Sequence, residues 1–512
     1  MLQILDLKII HRKDLRTILD HFSCTLNAGD KAVIIGEEGN GKSTLLKWIY
    51  DPKLVDSYAD TEGIRVCHGE ILAYLPQELP MEDREKTVYE FFSDSSDFLD
   101  VDHKELVSLT VQFGFDQDFC YSDQRMGTLS GGEKVKAQMM RILMRKPTVL
   151  LLDEPSNDID IETLEWLEKQ ILDFKGIVLY ISHDEVLIER TSNMVIHLEQ
   201  LYRKRESKYT VAKMSYTQYA AERLGSLERQ EQQAKLDLRE KKIRDEKFRR
   251  IAQKVDQAQE NISRGDPHGA RLLKKKMKAV KSLEKRFERE DEGMEKMPYA
   301  EEAINFRIGT EENRIPNGKT VFELKPKDLF TADGTKLLSK GVSLVVRGPE
   351  KIGITGSNGA GKTTLLKLLV NLLQEREDIK IQYMPQNYSD LLDLDATAVD
   401  SICRSGDPEE RKKVKNWLAA LKFTAEEMEH PIRHLSGGQQ AKIFLLRMNT
   451  SGANVLILDE PTRNFSPLSG PVIRRMLSDF PGTIISVSHD RKYLSKVCTR
   501  VLKLTKNGLI SN

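Results

Sequence analysis

The chain has 512 residues, 39% of them hydrophobic and 31% charged, and its 79 Lys and Arg balance 79 Asp and Glu. This length is too great for one hydrophobic core, so two or more domains are expected. No apolar run reaches the roughly 18–20 residues that cross a bilayer, and the N-terminal segment lacks the pattern of a signal peptide. The five dispersed cysteines are expected to be free thiols in a reducing cytoplasm, which argues against disulfides and zinc.

Four short motifs occur twice along the chain. GEEGNGKS at 36–43 returns as GSNGAGKT at 356–363, and three further pairs are each offset by 306 residues. These pairs are LSGGE and LSGGQ at 129–133 and 435–439, VLLLDEP and VLILDEP at 149–155 and 455–461, and ISHD and VSHD at 181–184 and 487–490. The repetition predicts one domain at 1–204 and a second at 306–512, with a segment at 205–305 that belongs to neither.

The first copy begins with an apolar strand, the loop GEEGNGKS and a helical pattern. In a GxxxxGK[ST] loop the backbone N–H groups and the helix N-terminus cradle phosphate oxygens. We expect Lys42 to reach the terminal phosphates and Ser43 to bind Mg²⁺. The other predicted nucleotide contacts of this loop are Gly36, Gly39, Asn40, Gly41 and Thr44.

Short apolar runs such as TVLLLD and GIVLYIS alternate with longer helical patterns, which is typical of an α/β unit with a buried parallel sheet. Asp153 ends one of these strands, where its carboxylate is expected near Mg²⁺. Glu154 follows it, in the position of a general base that polarises the attacking water. His183 ends the next strand and is expected to contact the γ-phosphate.

The intervening segment has a different composition. From about residue 214 to 257 it has no proline and one glycine, and it is rich in strong helix formers. Two apolar stripes follow at helical spacing, with SRGDPHG at 263–269 as a turn between them. The stripes are Phe248, Ile251, Val255, Ala258 and Ile262, then Leu273, Met277, Val280, Leu283 and Phe287. We predict two long antiparallel helices that pack along these stripes and are joined at a tip near 258–270.

The second copy repeats the chemistry of the first. Lys362 is expected at the terminal phosphates, Thr363 and Asp459 at Mg²⁺, Glu460 as the base and His489 at the γ-phosphate. The remaining contacts predicted for this phosphate loop are Gly356, Asn358, Gly359, Ala360, Gly361 and Thr364.

Leu-Ser-Gly-Gly followed by Glu or Gln, between a phosphate loop and a DE strand, resembles the signature of ATP-binding-cassette (ABC) domains. The resemblance implies that Gln77 and Gln386 are the Q-loop residues, which contact the nucleotide and Mg²⁺. It also implies a head-to-tail sandwich in which each ATP lies between one phosphate loop and the signature of the other copy. The implied signature contacts are Ser130, Gly131 and Gly132, and Ser436, Gly437 and Gly438.

Two cassettes on one chain with a helical hairpin of about 100 residues between them resemble the ABC-F family. TRNFSPLSG at 462–470 and the long hairpin resemble its antibiotic-resistance branch. The resemblance implies a cytoplasmic Mg-dependent ATPase, monomeric and without a membrane subunit. In its ATP form it would bind the E site of the bacterial 70S ribosome and displace P-site tRNA. It would thereby protect the peptidyl-transferase centre from pleuromutilins, lincosamides and streptogramin A.

Three features depart from the family pattern. Asp158 stands where the family usually has histidine, and Ser466 stands where aspartate is common. Because of these differences we expect the two sites to hydrolyse ATP at unequal rates. No tyrosine precedes Gly36 where an adenine-stacking residue is expected, and Phe330 is the only candidate in the second copy.

The hairpin carries a strong positive charge. Between Lys235 and Arg289 there are 19 basic and 9 acidic residues, a net +10, which suits an element that enters RNA. The alternative is a solvated coiled-coil face. Four basic residues fall on one side of the second helix, away from its stripe: Arg271, Lys274, Lys275 and Lys278. The tip residues expected near rRNA and the drug site are Asn261, Ile262, Ser263, Arg264, Asp266, Pro267 and His268.

Three other functions fit part of the pattern. A DNA-repair ATPase also joins cassettes to coiled coil, but there the coiled coil interrupts one cassette. The energising subunit of a drug efflux transporter would not need a basic hairpin. A housekeeping ABC-F translation factor that relieves stalled ribosomes differs only in the 462–470 loop and the tip.

Overall fold

The computed structural model describes residues 1–157, 159–201, 206–260, 267–294, 308–309, 314–331, 334–376, 378–403, 406–421 and 423–511. It divides into two compact units, one of Met1–Tyr216 with Glu301–Asn512 and one of Thr217–Ala300. The first unit holds both repeats, called cassette 1 and cassette 2 below. None of the helices among the described residues combines the length and the apolar character that a membrane span needs.

Cassette 1 is built on a six-stranded sheet of order β5-β6-β7-β3-β8-β9, parallel except for its last pair. A three-stranded antiparallel sheet of order β2-β1-β4 accompanies it. Its strands are β1 (Leu2–His11), β2 (Thr17–Leu26), β3 (Lys31–Ile35), β4 (Ala59–Val66), β5 (Leu72–Leu75), β6 (Val149–Asp153), β7 (Ile177–Ile181), β8 (Met194–Gln200) and β9 (Glu206–Ala212). Every residue of β3, β6 and β7 is buried, because a parallel sheet is covered on both faces.

The helices of cassette 1 are short, and the group between β5 and β6 forms a small helical subdomain. They are α1 (Lys42–Tyr50), α2 (Met81–Arg84), α3 (Val88–Ser93), α4 (Ser96–Asp100), α5 (His103–Gln112), α6 (Gly131–Met144), α7 (Ile161–Asp173) and α8 (Glu185–Thr191).

The second unit consists of two long helices, α9 (Tyr216–Glu260) and α10 (Pro267–Glu292). They are antiparallel, since Arg244 pairs with Asp291 while Phe248 meets Phe287, with ring centroids 5.7 Å apart. At 1.5 Å per residue α9 is about 68 Å long. Val255 lies at the seam as predicted, but Ile251 is 46% exposed and is outside it.

Cassette 2 repeats the sheet of cassette 1 strand for strand, in the order β13-β14-β15-β12-β16-β17. Among the described residues, its smaller sheet consists of the β10-β11 hairpin, and no described strand takes the place of β4. Its strands are β10 (Thr320–Phe330), β11 (Leu337–Arg347), β12 (Lys351–Thr355), β13 (Ile381–Met384), β14 (Val455–Asp459), β15 (Thr483–Val487), β16 (Arg500–Thr505) and β17 (Gly508–Ser511). Its helices are α11 (Lys362–Gln374), α12 (Pro408–Ala420), α13 (Ala425–Glu429), α14 (Gly437–Ser451), α15 (Gly470–Ser478) and α16 (Arg491–Lys496).

The predicted fold class, two α/β cassettes joined by a helical hairpin, is confirmed. The boundary of the first cassette lies further along the chain than residue 204. β9 falls in the segment expected to be linker, yet it pairs with β8 as the edge of the main sheet. Cassette 1 therefore reaches about residue 216, where the compact unit divides.

Candidate functional site

Each phosphate loop lies where a buried strand turns into a helix. β3 leads into α1, which begins at Lys42, and β12 leads into α11, which begins at Lys362. The residue before each helix is in the left-handed region, with φ of 85° at Gly41 and 94° at Gly361, a conformation that glycine adopts without steric cost. The first N–H groups of both helices lack partners in the helix and are available for an anion.

The loop lysines are already positioned within their own loops. The ammonium group of Lys42 donates to the carbonyl oxygens of Gly36 at 2.8 Å and Glu37 at 3.0 Å. Lys362 makes the same two contacts in cassette 2, also at 2.8 and 3.0 Å. Both lysines therefore lie along the loop, within reach of a phosphate held by it.

Some of the predicted loop contacts have a structural role instead of facing a cavity. The Asn40 amide donates to the Leu198 carbonyl oxygen at 3.0 Å, which ties the loop to β8. A Cβ on Gly36 would lie 2.3 Å from that same oxygen, and a Cβ on Gly356 would lie 2.7 Å from the Leu504 oxygen. Gly36, Asn40, Gly356 and Ala360 do not line the two cavities that lie at the phosphate loops.

A hydroxyl and a carboxylate meet beside each loop. The Ser43 hydroxyl donates to Asp153 at 2.8 Å, and the Thr363 hydroxyl donates to Asp459 at 2.7 Å. The Tyr74 hydroxyl also donates to Asp153, at 3.0 Å. Mg²⁺ takes oxygen ligands and is usually held by one or two protein groups with waters and phosphate oxygens, so these pairs fit it.

Glu154 accepts hydrogen bonds from several side chains. Gln77 donates to its carboxylate at 3.0 Å and Asn157 at 2.5 Å, and the His183 Nε2 lies 3.3 Å away. Burial alone would raise the pKa of Glu154, but the charge and hydrogen bond of His183, the charge of Lys42 and the hydrogen bond from Asn157 outweigh it and lower the pKa to about 2. The carboxylate is therefore ionised and fixed in orientation.

Glu460 occupies the matching position in cassette 2 with weaker contacts. Ser488 donates to its carboxylate at 3.4 Å and the His489 backbone N–H at 3.3 Å, while the His489 Nε2 lies 3.8 Å away. Burial, and then the charge of Asp459, raise the pKa of Glu460 to about 8. Burial and the charge of Lys362 lower the pKa of His489 to about 4. The two candidate bases therefore have different electrostatic surroundings.

The fifth residue of each signature motif has a structural function. Ser130 caps α6, and Glu133 completes a capping box by bonding back to the Ser130 N–H at 2.8 Å. Ser436 and Gln439 form the same box on α14, at 3.0 Å. Because Glu and Gln can both close a capping box, the variation between LSGGE and LSGGQ leaves the helix start unchanged.

The phosphate loop of each cassette lies against the other cassette, since Glu38 contacts the start of α14 and the cavity at the second loop reaches α6. We call the cavity at the first loop site 1; it has a volume of about 400 Å³ and reaches Arg463 and Asn464 of cassette 2. The cavity at the second loop, site 2, has a volume of about 890 Å³ and extends to Gly131 and Lys134 of cassette 1. In these two composite sites, Lys42, Gln77, Glu154 and His183 line site 1, and their counterparts Lys362, Gln386, Glu460 and His489 line site 2.

Two acidic residues within the first phosphate loop, which the sequence analysis did not single out, contact cassette 2. The Glu38 carboxylate accepts a hydrogen bond from the Gly438 N–H at the start of α14. Glu37 accepts from Lys442 at 3.2 Å and from Ser469 at 3.0 Å. Their signal in the sequence is the pair of acids inside a phosphate-binding motif.

A tyrosine outside the sequence motifs, Tyr58, lies at the first phosphate loop. His11, Arg16 and Tyr58 line site 1, and Arg16 donates to the Gly39 carbonyl oxygen at 3.2 Å. Thr331 and Leu338 line site 2. Phe330, the candidate for adenine stacking, is 46% exposed and does not line that cavity.

The structure describes Ser466, in the loop after the second DE motif, but not Asp158 in the loop after the first. In cassette 2, Ser466 is buried, and the preceding Phe465 accepts a hydrogen bond from the His183 Nδ1 at 2.8 Å. His183 therefore contacts both Glu154 and the neighbouring cassette.

The candidate RNA-binding residues lie on the helical unit. Arg271, Lys274, Lys275 and Lys278 are exposed on α10. Asn261, Ile262, Ser263, Arg264 and Asp266 lie outside the described residues. Pro267 and His268 begin α10, and their side chains are not described.

The fold and the two composite sites define a pair of ATP-binding cassettes. Residues 19–157 and 339–463 match the family model described as ABC transporter, which is just over half of the chain. The chain belongs to this family, and it is an ATP-hydrolysing enzyme.

Two relatives and one solved structure extend the similarity to nearly the whole chain. The ribosome protection protein VmlR of Bacillus subtilis is 29% identical over 506 residues, covering 96% of this chain and 85% of that protein. ABC transporter F family member 5 of Arabidopsis thaliana is 24% identical, covering 95% and 73%. The archaeal ribosome recycling factor aABCE1, solved in complex with the ribosomal stalk protein aP1, has a TM-score of 0.58 at 16% identity, covering 99% and 90%. This last likeness shows the fold alone.

Proposed function

We propose that the chain is an ABC-F ATPase that binds the ribosome in its ATP form. The observation that carries this proposal is the pair of helices α9 and α10, which follow cassette 1 and precede cassette 2 in the sequence and bear the net charge of +10 between Lys235 and Arg289. An element of this kind suits contact with the phosphate backbone of RNA. The similarity along 96% of the chain to a relative named a ribosome protection protein supports it.

In each composite site the loop residues hold ATP and Mg²⁺. Lys42 and Lys362 bind the terminal phosphates from their positions along the two loops. The hydroxyl–carboxylate pairs beside them, joined by Gln77 and Gln386, hold Mg²⁺, which supplies positive charge to the phosphates.

The water that attacks the γ-phosphate is oriented by Glu154 in site 1 and Glu460 in site 2. His183 and His489 contact the γ-phosphate from the neighbouring strand ends. The capped N-terminus of the opposite signature helix, at Ser436 or Ser130, completes each site with backbone N–H groups. ATP therefore closes the cassettes on each other, and hydrolysis lets them open.

The working cycle we propose takes place on the bacterial 70S ribosome in the cytoplasm. A single chain without a membrane subunit binds the E site, and the helical unit displaces P-site tRNA. The tip at 258–270 approaches large-subunit rRNA at the peptidyl-transferase centre, which protects it from pleuromutilins, lincosamides and streptogramin A. The basic residues Arg271, Lys274, Lys275 and Lys278 supply electrostatic contact with rRNA or tRNA.

The ribosome proposal is tested by co-sedimentation of the Glu154→Gln/Glu460→Gln protein with 70S ribosomes through a sucrose cushion, with and without ATP. Removal of both candidate bases should trap the closed form, so the protein should pellet with ribosomes only when ATP is present. Protein that stays in the supernatant with ATP, while still binding ATP, would contradict the ribosome assignment.

The finer proposal of antibiotic protection is tested by deletion of residues 261–268. The shortened protein should keep its ATPase activity and its ribosome binding but lose protection of translation from a pleuromutilin. Full protection by the shortened protein would contradict a role of the tip. An intact protein that binds ribosomes and protects against none of the three drug classes would favour the housekeeping factor instead.

A further inference from the structure

Away from the nucleotide sites, the two cassettes meet through a cluster of ion pairs with a one-sided distribution of charge. Among the described residues of this cluster, the acids that cross the interface belong to cassette 1 and the bases to cassette 2. Arg491 lies 2.5 Å from Glu168 and 3.0 Å from Asp184. Lys492 lies 2.8 Å from Glu185 and 2.5 Å from Glu189.

The centre of the cluster is a buried, bidentate pair between Arg474 and Glu185. The two guanidinium nitrogens of Arg474 lie 2.8 and 3.0 Å from the two carboxylate oxygens of Glu185. The side chains are only 3% and 5% exposed. A Cβ on Gly470 would lie 2.1 Å from one of these oxygens, so the close approach of the two cassettes requires a glycine there. Buried bidentate pairs of this geometry are strong and directional.

Two of the contacts in this cluster are related by the repeat. The signature, DE and histidine motifs are all offset by 306 residues, so Arg474 is the counterpart of Glu168 and Arg491 is the counterpart of Glu185. The Glu168–Arg491 contact and the Arg474–Glu185 contact are therefore equivalent. In each contact, the position of residue 168 in one cassette meets the position of residue 185 in the other. At each of these positions the charge is reversed between the copies.

This reversal has a consequence for which surfaces can pair. If cassette 1 met a second cassette 1 in the same way, Glu168 would face Glu185 twice. If cassette 2 met a second cassette 2, Arg474 would face Arg491 twice. Like charges buried side by side are strongly unfavourable, whereas the observed pairing joins opposite charges in both of these pairs.

We propose that this charge-reversed cluster selects the partner of each cassette. The acidic face of cassette 1, formed by Glu168 and Glu185, fits the basic face of a cassette 2, formed by Arg474 and Arg491, and rejects a copy of itself. The chain thereby closes on its own two unlike halves, although two chains could otherwise associate through like cassettes. The same contacts lie beside His183 and His489, so the correct pairing also sets the register of both composite sites. The inference is independent of the ribosome proposal.

The first test exchanges the charges between the cassettes. Glu168→Arg/Glu185→Arg makes both faces basic, and Arg474→Glu/Arg491→Glu makes both faces acidic. Each double variant should lower the ATPase rate by roughly tenfold or more, since it leaves buried charges opposed. The chain with all four substitutions restores opposite charges in both reversed pairs, although Asp184 then faces the Arg491→Glu side chain and Lys492 faces the Glu185→Arg side chain. Its ATPase rate should therefore recover in part, to about threefold or more above that of either double variant.

The second test mixes the two double variants. A chain with two basic faces and a chain with two acidic faces cannot close alone, but they are complementary to each other. An equimolar mixture should therefore regain ATPase activity as protein concentration rises, and light scattering should detect a species with the mass of two chains. The original protein should remain at the mass of one chain.

Several outcomes would overturn the proposal. Double variants as active as the original chain, or a fourfold variant as inactive as the doubles while still folded by circular dichroism, would show that the charges do not direct the pairing. A mixture that stays inactive and at the mass of one chain would show that they do not select the partner. The matched control is Glu85→Arg/Arg125→Glu, which exchanges an exposed pair 2.9 Å apart within cassette 1 and should leave activity and mass unchanged.

Discussion

At the scale of single residues, the two phosphate loops differ where they meet the opposite signature helix. Cassette 1 has Glu37 and Glu38 at the positions that Ser357 and Asn358 occupy in cassette 2. The Glu38 carboxylate accepts a hydrogen bond from the Gly438 N–H, a group that we expect to bind a phosphate oxygen of ATP. A protein carboxylate and the nucleotide therefore compete for one donor in site 1.

We expect Glu38→Asn, which gives site 1 the residue of site 2, to strengthen ATP binding. Removal of one negative charge near the triphosphate should lower the Kd of site 1 by roughly tenfold at moderate ionic strength. Titration of a fluorescent, slowly hydrolysed ATP analogue measures this. The reciprocal variant Asn358→Glu should weaken binding at site 2, and an unchanged or higher Kd for Glu38→Asn would refute the competition.

At the scale of elements, the two long helices depend on a narrow seam. Phe248 and Phe287 meet edge to face, and the guanidinium of Arg244 lies 4.6 Å from the Phe287 ring centroid. Arg244 and Lys241 both pair with Asp291. Exposed ion pairs contribute little, so the aromatic contact should account for most of the pairing energy in this region.

Phe248→Ala should loosen the pairing of α9 and α10 while the cassettes stay folded. The loss of a half-buried aromatic ring costs about 1–2 kcal/mol, so amide hydrogen exchange near 244–250 and 285–291 should become about tenfold faster. Leu272→Ala is the control, because Leu272 is 52% exposed on α10. Equal exchange in both variants would show that the seam lies elsewhere.

At the scale of the whole molecule, charge is separated along the chain. The segment between Lys235 and Arg289 has a net charge of +10 in a chain with no net charge, so the remainder has a net charge of −10. A body of the same sign as RNA limits nonspecific contact, and the basic element directs binding to one part of the protein.

Reversal of four exposed charges, by Arg271→Glu, Lys274→Glu, Lys275→Glu and Lys278→Glu, should weaken ATP-dependent ribosome binding without a change in ATPase rate. Each lost phosphate contact should reduce the slope of log affinity against log salt by about 0.7–0.9. Binding measured from about 50 to about 200 mM salt gives this slope. Lys412→Glu/Lys413→Glu, on exposed positions of α12, is the control, and a slope that does not change would contradict a direct role in RNA binding.

The sequence by itself determined the architecture, because repeated motifs specify two copies of a domain and their offset leaves room for one inserted helical pair. It also predicted Lys42, Asp153 and Glu154 as site residues, since phosphate and metal chemistry require those residue types at that spacing. Only the tertiary structure decided that Asn40 anchors its loop, that Glu38 reaches Gly438, and that β9 belongs to the first sheet. It also decided that Glu168 and Arg491 meet, because these contacts join residues hundreds of positions apart, and local spacing does not encode the surface on which two folded domains pack.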